Sequence, residues 1–361
     1  MLIAIIGGVF GAFFYYTSLA PELKLVREIT DNPRGLLSSR LTDSGIYSPG
    51  DISRLNTYTA TSIASVFKKK NQTGKIFEDI YLPGERLGLG IVISMDGWIM
   101  TRPQILGSRQ ADSVVVNIGK NFYNVEKIIF DPTRKADFIK VAATNFSVLN
   151  FGDSDEIKFG DGVFVVAGRN QLQSSVISDI AWQEIKGREF LIQNSEEVAR
   201  RILVRGKLSQ DWLGAPIVNY KGEVLGVVER VDVNGNSVIT PMNNFKKSIQ
   251  QLFAGAKFKQ NYLGLSYIDL NAWKAPGTPE LYGFLIQAND RLGGRGIGRA
   301  SPAEAAGFNA GDIILKINEA SLRGPFHLGE ILDDFKSGET INFTVKRGEK
   351  ELLLKAVLEE R

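Results

Sequence analysis

Between Thr57 and about Phe253 the chain repeats short runs of apolar and β-branched residues separated by turn residues. Ile63–Phe67, Leu87–Ser94, Gly97–Thr101, Ser113–Ile118, Val125–Phe130, Phe138–Ala142, Val163–Ala167, Ser175–Ile180, Phe190–Gln193, Ile217–Val218, Val224–Val228 and Ser237–Thr240 all have this character. Asp96-Gly97, Lys221-Gly222 and Asn234-Gly235 fall between such runs, where a hairpin needs residues that tolerate a positive φ. Many short strands with no strand-helix-strand rhythm predict a pair of barrels or a sandwich. The period then changes, because Phe245, Ile249, Leu252 and Phe253 recur at helical spacing and predict a closing helix over Asn244–Ala254.

Beyond a basic link at Lys257–Gln260 the pattern mixes both periods. Ser301-Pro302 predicts the start of a short helix, Ala310-Gly311-Asp312 a turn, and Ile313–Ile317 a strand. Leu328, Ile331, Leu332 and Phe335 share one helical face, while Phe343, Val345, Leu352 and Leu354 belong to a hairpin turning at Arg347-Gly348.

At the other end, Leu2–Leu19 is an uncharged run of eighteen residues, about 27 Å long as a helix and enough for a bilayer core. Tyr15 and Tyr16 would sit toward one interface. Ser18-Leu19-Ala20 has the form of a cleavage site, but Pro21 would follow the cut and no basic segment precedes the run. The expectation is therefore a single-pass transmembrane anchor over residues 1–20, reaching the membrane through residues 2–19. Flanking charges do not settle its orientation: Lys24 and Arg27 would draw the body to the cytoplasm, and basic residues ahead of Met1 would reverse that. Residues 21–57 mix charge, Gly, Pro and Ser and read as a partly helical linker.

Composition narrows the chemistry. The 361 residues hold 43 Lys+Arg against 40 Asp+Glu, no cysteine and one histidine, His327. Disulfides, thiolate zinc sites and cysteine nucleophiles are excluded, and an imidazole base could be built only around His327. No metal or cofactor is expected, and a net charge of +3 lacks the basic excess of a nucleic-acid partner surface. The run Lys68–Lys70 reads as a solvated strand edge, too short to argue for lipid headgroups.

Four segments in order, GLGIVISMDGWIMT (88–101), Asp131-Pro132 with FIKV (138–141), LNFGDSDEIKFGDGVFVVAG (149–168) and GAPIVNYKGEVLGVV (214–228), resemble the HtrA/DegP-like trypsin-fold serine endopeptidases. The resemblance implies a mainly β fold: a chymotrypsin-like double β-barrel over residues 58–256 with a catalytic cleft between barrels. That cleft needs a serine, an imidazole base, a carboxylate and two backbone N–H groups for the oxyanion. Carried over position by position, the base falls on Gln104, the nucleophile on Leu213 and the carboxylate on Lys135, with Asp137 two residues on as the alternative acid. Asp211 stands where the family has an oxyanion-hole glycine. An amide cannot shuttle a proton near neutral pH, so no intact triad is expected. Ser209 with Lys207, or Ser108 near Arg102 and Lys135, remain as unconventional nucleophile and base pairs. The strand leading to position 213 has two readings, RRILV without a gap or FLIQN with an insertion of about ten residues; both place Arg200, Arg201 and Arg205 near the specificity cleft.

Residues 258–361 resemble an α+β PDZ domain of the HtrA arrangement, above all in SPAEAAGFNAGDIILKIN (301–318). PDZ domains take extended peptides as an added strand, with loop N–H groups on the terminal carboxylate. By resemblance the carboxylate loop is Tyr262, Leu263, Gly264 and Leu265, the pairing strand continues through Ser266 and Tyr267, and Leu328 and Leu332 offer an apolar pocket or else only core packing. His327 stands at the helix start, as a ligand reader or a solvated neighbour of the cap; GGRGIG (293–298) reads as a loop rather than a phosphate cradle. The resulting expectation is a membrane-anchored pseudoprotease with its body outside the cytoplasm by resemblance. It would bind peptide C-termini or unfolded polypeptides in protein quality control, scaffolding or regulation, as a homo-oligomer (a trimer by analogy) or with active relatives. An active endopeptidase with unconventional residues and a purely architectural membrane protein are the alternatives.

Overall fold

The structure, a computed structural model, describes residues 49–361 apart from 199, 207, 233–234, 275, 278–280, 289–293 and 325–326. The expected anchor and most of the linker lie outside the described residues, among which no helix is long and apolar enough to cross a membrane. A helix, Pro49–Ala60, runs across the expected boundary at residue 57.

Strands β1 (Ile63–Lys68), β2 (Arg86–Val92), β3 (Trp98–Thr101), β4 (Val114–Ile118), β5 (Asn121–Asp131) and β6 (Ala136–Val141) close a barrel in the order β1-β2-β3-β6-β5-β4. Its filling follows the alternation of the sequence: Ala64, Val66, Val92, Ile99, Val114, Val116, Ile139 and Val141 point inward and are buried. Gly97, at φ +96°, makes the turn from β2 to β3 that Asp96-Gly97 predicts. A second barrel follows. β7 (Gly162–Gly168) and β8 (Gln171–Asp179) precede a two-residue strand, β9 (Gln193–Asn194), and the barrel resumes with β10 (Ile202–Arg205), β11 (Pro216–Val218), β12 (Val224–Val231) and β13 (Ser237–Pro241). The closed order is β10-β13-β12-β11-β7-β8, without β9.

One expected strand is corrected here. Phe190–Gln193 does not join the barrel; Arg188–Leu191 is a 3-10 turn, and β10 occupies the place. The physical reason is burial: Ile202 and Val204 are each 1% exposed, whereas Phe190 is 43% exposed. The gap-free reading through RRILV therefore holds. The closing helix is Lys246–Phe253, preceded by a 3-10 turn at Met242–Phe245.

The C-terminal part is built from β14 (Asn261–Tyr262), β15 (Ser266–Asp269), β16 (Phe284–Ile286), β17 (Ile313–Ile317), β18 (Ala320–Ser321), β19 (Thr340–Arg347), β20 (Lys350–Val357) and β21 (Glu359–Glu360), with short helices Pro302–Ala305 and Leu328–Asp333. Ser301 caps the first of these, its hydroxyl accepting from Glu304 N at 3.1 Å, as the Ser-Pro start predicts. The main sheet runs β20-β19-β17-β16-β15-β9, so the strand that left the second barrel becomes its edge.

Polar contacts tie this part to the barrels. Arg134, in the turn between β5 and β6, pairs with Asp333 and donates to Gln260 Oε1 at 3.2 Å. Phe258 stacks on Phe138 with ring centroids 5.7 Å apart. The Arg134 and Asp333 side chains are 3% and 21% exposed. Removing one partner leaves the other charge desolvated, so Arg134→Ala is expected to cost about 3 kcal/mol, read as a shift in the urea unfolding midpoint at pH 7.

Candidate functional site

The cleft between the barrels forms where β2, the end of β3 and the 3-10 turn Gln210–Trp212 meet. Thr101 closes β3 and donates its hydroxyl to Leu89 O at 2.7 Å. Arg102 then leads into a single helical turn, Pro103–Leu106, that buries Ile105 and Leu106 and leaves Gln104 exposed. Leu213 follows the 3-10 turn and packs, half-buried, against the first barrel's core. The positions carried over for base and nucleophile thus lie on neighbouring segments. Leu89 N donates to Leu213 O at 2.7 Å, and Gly214, at φ +81°, passes so close that a Cβ would sit 2.0 Å from Leu89 O and 2.7 Å from Ile105 Cδ1.

An oxyanion needs free N–H groups aimed at it. Here Trp212 N donates to Ser209 O at 3.0 Å and Leu213 N to Gln210 O at 3.3 Å. Partial burial works to raise the Asp211 carboxyl, but Ser209 and an ion pair with Arg86 hold it below the usual range, so it adds a fixed negative charge.

Behind Gln104 lies a cluster of buried charge that the sequence did not announce. Arg102, 1% exposed, stands 3.3 Å from Glu229 Oε2 and lies over the Phe245 ring. Glu229 also takes Arg201 Nε at 2.5 Å and the Thr240 hydroxyl at 2.6 Å. Burial brings Arg102 down to about 10, which leaves it charged at neutral pH. Asp137 is 2% exposed and its Oδ2 has no hydrogen-bond partner. Burial pushes this carboxyl up to about 7 against the pull of Arg102, with Asp131 adding to the rise. Lys135 sits exposed in the turn before β6 at φ +54°, away from that cluster in character and burial. Ser209 and Ser108 are exposed, and Lys207 lies outside the described residues. Of the three arginines, Arg201 serves Glu229, Arg200 reaches Asp155 and Glu330, and Arg205 is exposed on β10.

The second site is the groove between β15 and the helix Leu328–Asp333. Gly264, at φ +83°, turns the loop Tyr262–Leu265 so that its amides converge; a Cβ there would meet Ser301 Cβ at 2.5 Å. Leu328 and Leu332 are 0% and 1% exposed within the apolar core of this part. Polar groups also line the groove. Tyr267 OH accepts from Leu328 N at 3.1 Å and donates to Gln193 Oε1 at 2.9 Å, and His327 Nδ1 lies 3.1 Å from the same oxygen. Burial, with Arg200 and Arg201 nearby, pulls the His327 imidazole down to about 4, so it is neutral and Nδ1–H donates. Residues 193–196, on which these contacts converge, were missed at the sequence level. Their signal was the long run between β8 and β10 that stays outside the barrel once RRILV is taken as the barrel strand.

The sequence matches the trypsin-like peptidase domain over residues 88–227 and the PDZ domain over residues 262–358. It is 28% identical over 284 residues to a probable periplasmic serine endoprotease DegP-like of Marinomonas sp. (strain MWYL1), covering 76% of this chain and 57% of that one. It is 26% identical over 281 residues to a putative serine protease HhoB of Synechocystis sp. (strain ATCC 27184 / PCC 6803 / Kazusa), covering 73% and 64%. The chain therefore spans less than two thirds of the length of these relatives. Among solved structures it is similar to the HtrA-type protease AlgW with tripeptide, at a TM-score of 0.62 and 16% identity over 87% of this chain and 98% of that one, a likeness of fold.

Two titrations test the electrostatics. The one imidazole in the chain gives one assignable NMR signal. It is expected to titrate near 4 rather than 6.5, so the stability it contributes is present above about 6.5 and lost as pH falls toward 4. Asp137 has the opposite sign: the native state keeps a proton that the unfolded chain releases above about 3.8, so stability falls as pH rises from there through 7. Asp137→Asn is expected to flatten that segment of the urea stability profile by up to about 1.4 kcal/mol per pH unit.

Proposed function

Because the chain is HtrA/DegP-like, a trypsin fold with a C-terminal PDZ domain, we propose that it acts as a pseudoprotease that binds peptide termini or unfolded polypeptides through the PDZ groove and does not hydrolyse them. The observation that carries this reading is the groove itself: strand β15 pairs with an extended segment, and the loop amides of Leu263 and Gly264 hold a carboxylate oxygen, of Glu196, at 3.2 and 2.7 Å. Those are the two contacts by which a strand-adding domain takes a chain end. The cleft supports the negative half. Leu213 offers no nucleophile, Gln104 no base, and the nearby amides are consumed within their own turn.

In this reading the work is recruitment, scaffolding or quality control of other chains. The periplasmic naming of the DegP-like relative supports a body outside the cytoplasm, with residues 2–19 as anchor. Assembly with itself, or with active relatives, belongs to the same proposal. The exposed Ser209 beside Asp211 is the residue on which an unconventional endopeptidase would rest.

Casein incubated with the purified full chain is expected to stay intact; cleavage abolished by Ser209→Ala or another single serine substitution would overturn the reading. A library of peptides with free C-termini is expected to yield ligands that Gly264→Ala no longer binds, since the added methyl and the positive φ both disfavour the loop. A screen without ligands on both the wild type and Glu196→Ala, which removes the carboxylate already held by the loop amides, would sink the PDZ half.

A further inference from the structure

The peptide groove is already engaged. β9 runs antiparallel to β15 with Gln193 opposite Tyr267 and Asn194 opposite Ser266. The ladder continues into the loop, where Ser195 N donates to Leu265 O at 2.9 Å. All three loop amides are then satisfied by this one segment: Leu265 N by Ser195 Oγ at 2.8 Å, Leu263 N and Gly264 N by Glu196 Oε1. Ser195 Oγ donates to that same carboxylate oxygen at 2.6 Å. The hydroxyl and the carboxylate together fill the place that the two oxygens of a chain terminus would take. Two residues earlier, Gln193 Oε1 receives Tyr267 OH and His327 Nδ1. Gln193 and Ser195 are 5% and 1% exposed, so the contact is a packed one.

We infer that residues 193–197 are a built-in ligand of the PDZ groove, with Ser195 and Glu196 standing in for a terminal carboxylate. External ligands are then extended chains that end in a free carboxylate and carry an amide side chain two residues before the last. They bind by displacing this segment. The inference rests on the reading that the groove binds peptides, and adds the ligand class and its competitor.

The contact is suited to exchange. Its ladder is two residues long, and the 3-10 turn Arg188–Leu191 before it buries no side chain. A cleft of about 470 Å³ lined by Gln183, Gln193, Asp269, Tyr282, Arg323 and His327 opens beside the ladder's start, where an incoming strand can begin to pair. On the far side the fit is tight. A Cβ at Gly329 would lie 2.5 Å from Glu197 O, so a methyl there evicts the segment without touching its carboxylate.

The test uses the full chain and a fluorescent decapeptide copying residues 186–195, KGREFLIQNS, with a free C-terminus. Wild type is expected to bind at least tenfold more weakly than Glu196→Ala and Gly329→Ala. Amide exchange at Leu263–Leu265 is expected to be slow in wild type and at least tenfold faster in both variants without peptide. Equal affinities and unchanged exchange overturn the built-in ligand while leaving peptide binding intact. Faster exchange with no peptide bound by any of the three proteins overturns the ligand class and the peptide-binding reading, and upholds the internal occupancy.

Discussion

A backbone N–H removed from water must find an acceptor. Three in succession, on Leu263, Gly264 and Leu265, find theirs in Ser195 and Glu196. Much of the molecule is arranged to bring those two residues there. Gly264 turns the loop; the chain between β8 and β10 leaves the second barrel to reach it; and Ile202–Arg205 must then close the barrel on its return. On the way back Arg200 meets Glu330 on the groove helix and Arg201 meets Glu229 in the barrel cleft. A continuous set of contacts therefore joins the groove to the buried charge behind Gln104.

The cleft between the barrels holds buried charge as well as apolar packing. Ion pairs as buried as Arg102 with Glu229 gain little over well-packed apolar residues, because desolvation consumes most of the attraction. Their effect is on geometry. Glu229 is held by two arginines and Thr240 at once, and Arg102 lies against Phe245 from the segment that leads into the closing helix. In the cleft the barrels and the returning loop are fastened together, with Leu213 packed against the first barrel's core.

The barrels and the PDZ part were legible because their signals are local. Alternation, Gly at hairpin turns and Ser-Pro at a helix start each depend on a few neighbouring residues. Gln104 and Leu213 could be placed at the cleft because they sit inside strongly patterned segments. What escaped depends on contacts far apart in sequence. Nothing in Gln193-Asn194-Ser195-Glu196 specifies a strand partner about seventy residues away, and its apolar lead-in, Phe190–Ile192, imitates a barrel strand. Leu328 and Leu332 carry a helical face that could serve a pocket or a core, and in the structure both are buried among apolar residues. His327 reads as a ligand reader or a solvated cap neighbour until Gln193 is placed against it.

Arg200 and Ile202, just past the inserted segment, are held by Glu330 and by the second barrel, and Ser178 at its other end bonds back to Leu203 O. Its occupant is thus a tethered one, and tethering changes the currency of competition. A covalently attached ligand has a local concentration fixed by the length of its leash, on the order of millimolar for short flexible connections, and dilution of the protein does not lower it. A free chain end with equivalent contacts would have to approach that level to win. On the proposed reading the groove has a threshold, set by loop length, which responds to crowding of exposed chain ends and ignores their ordinary background.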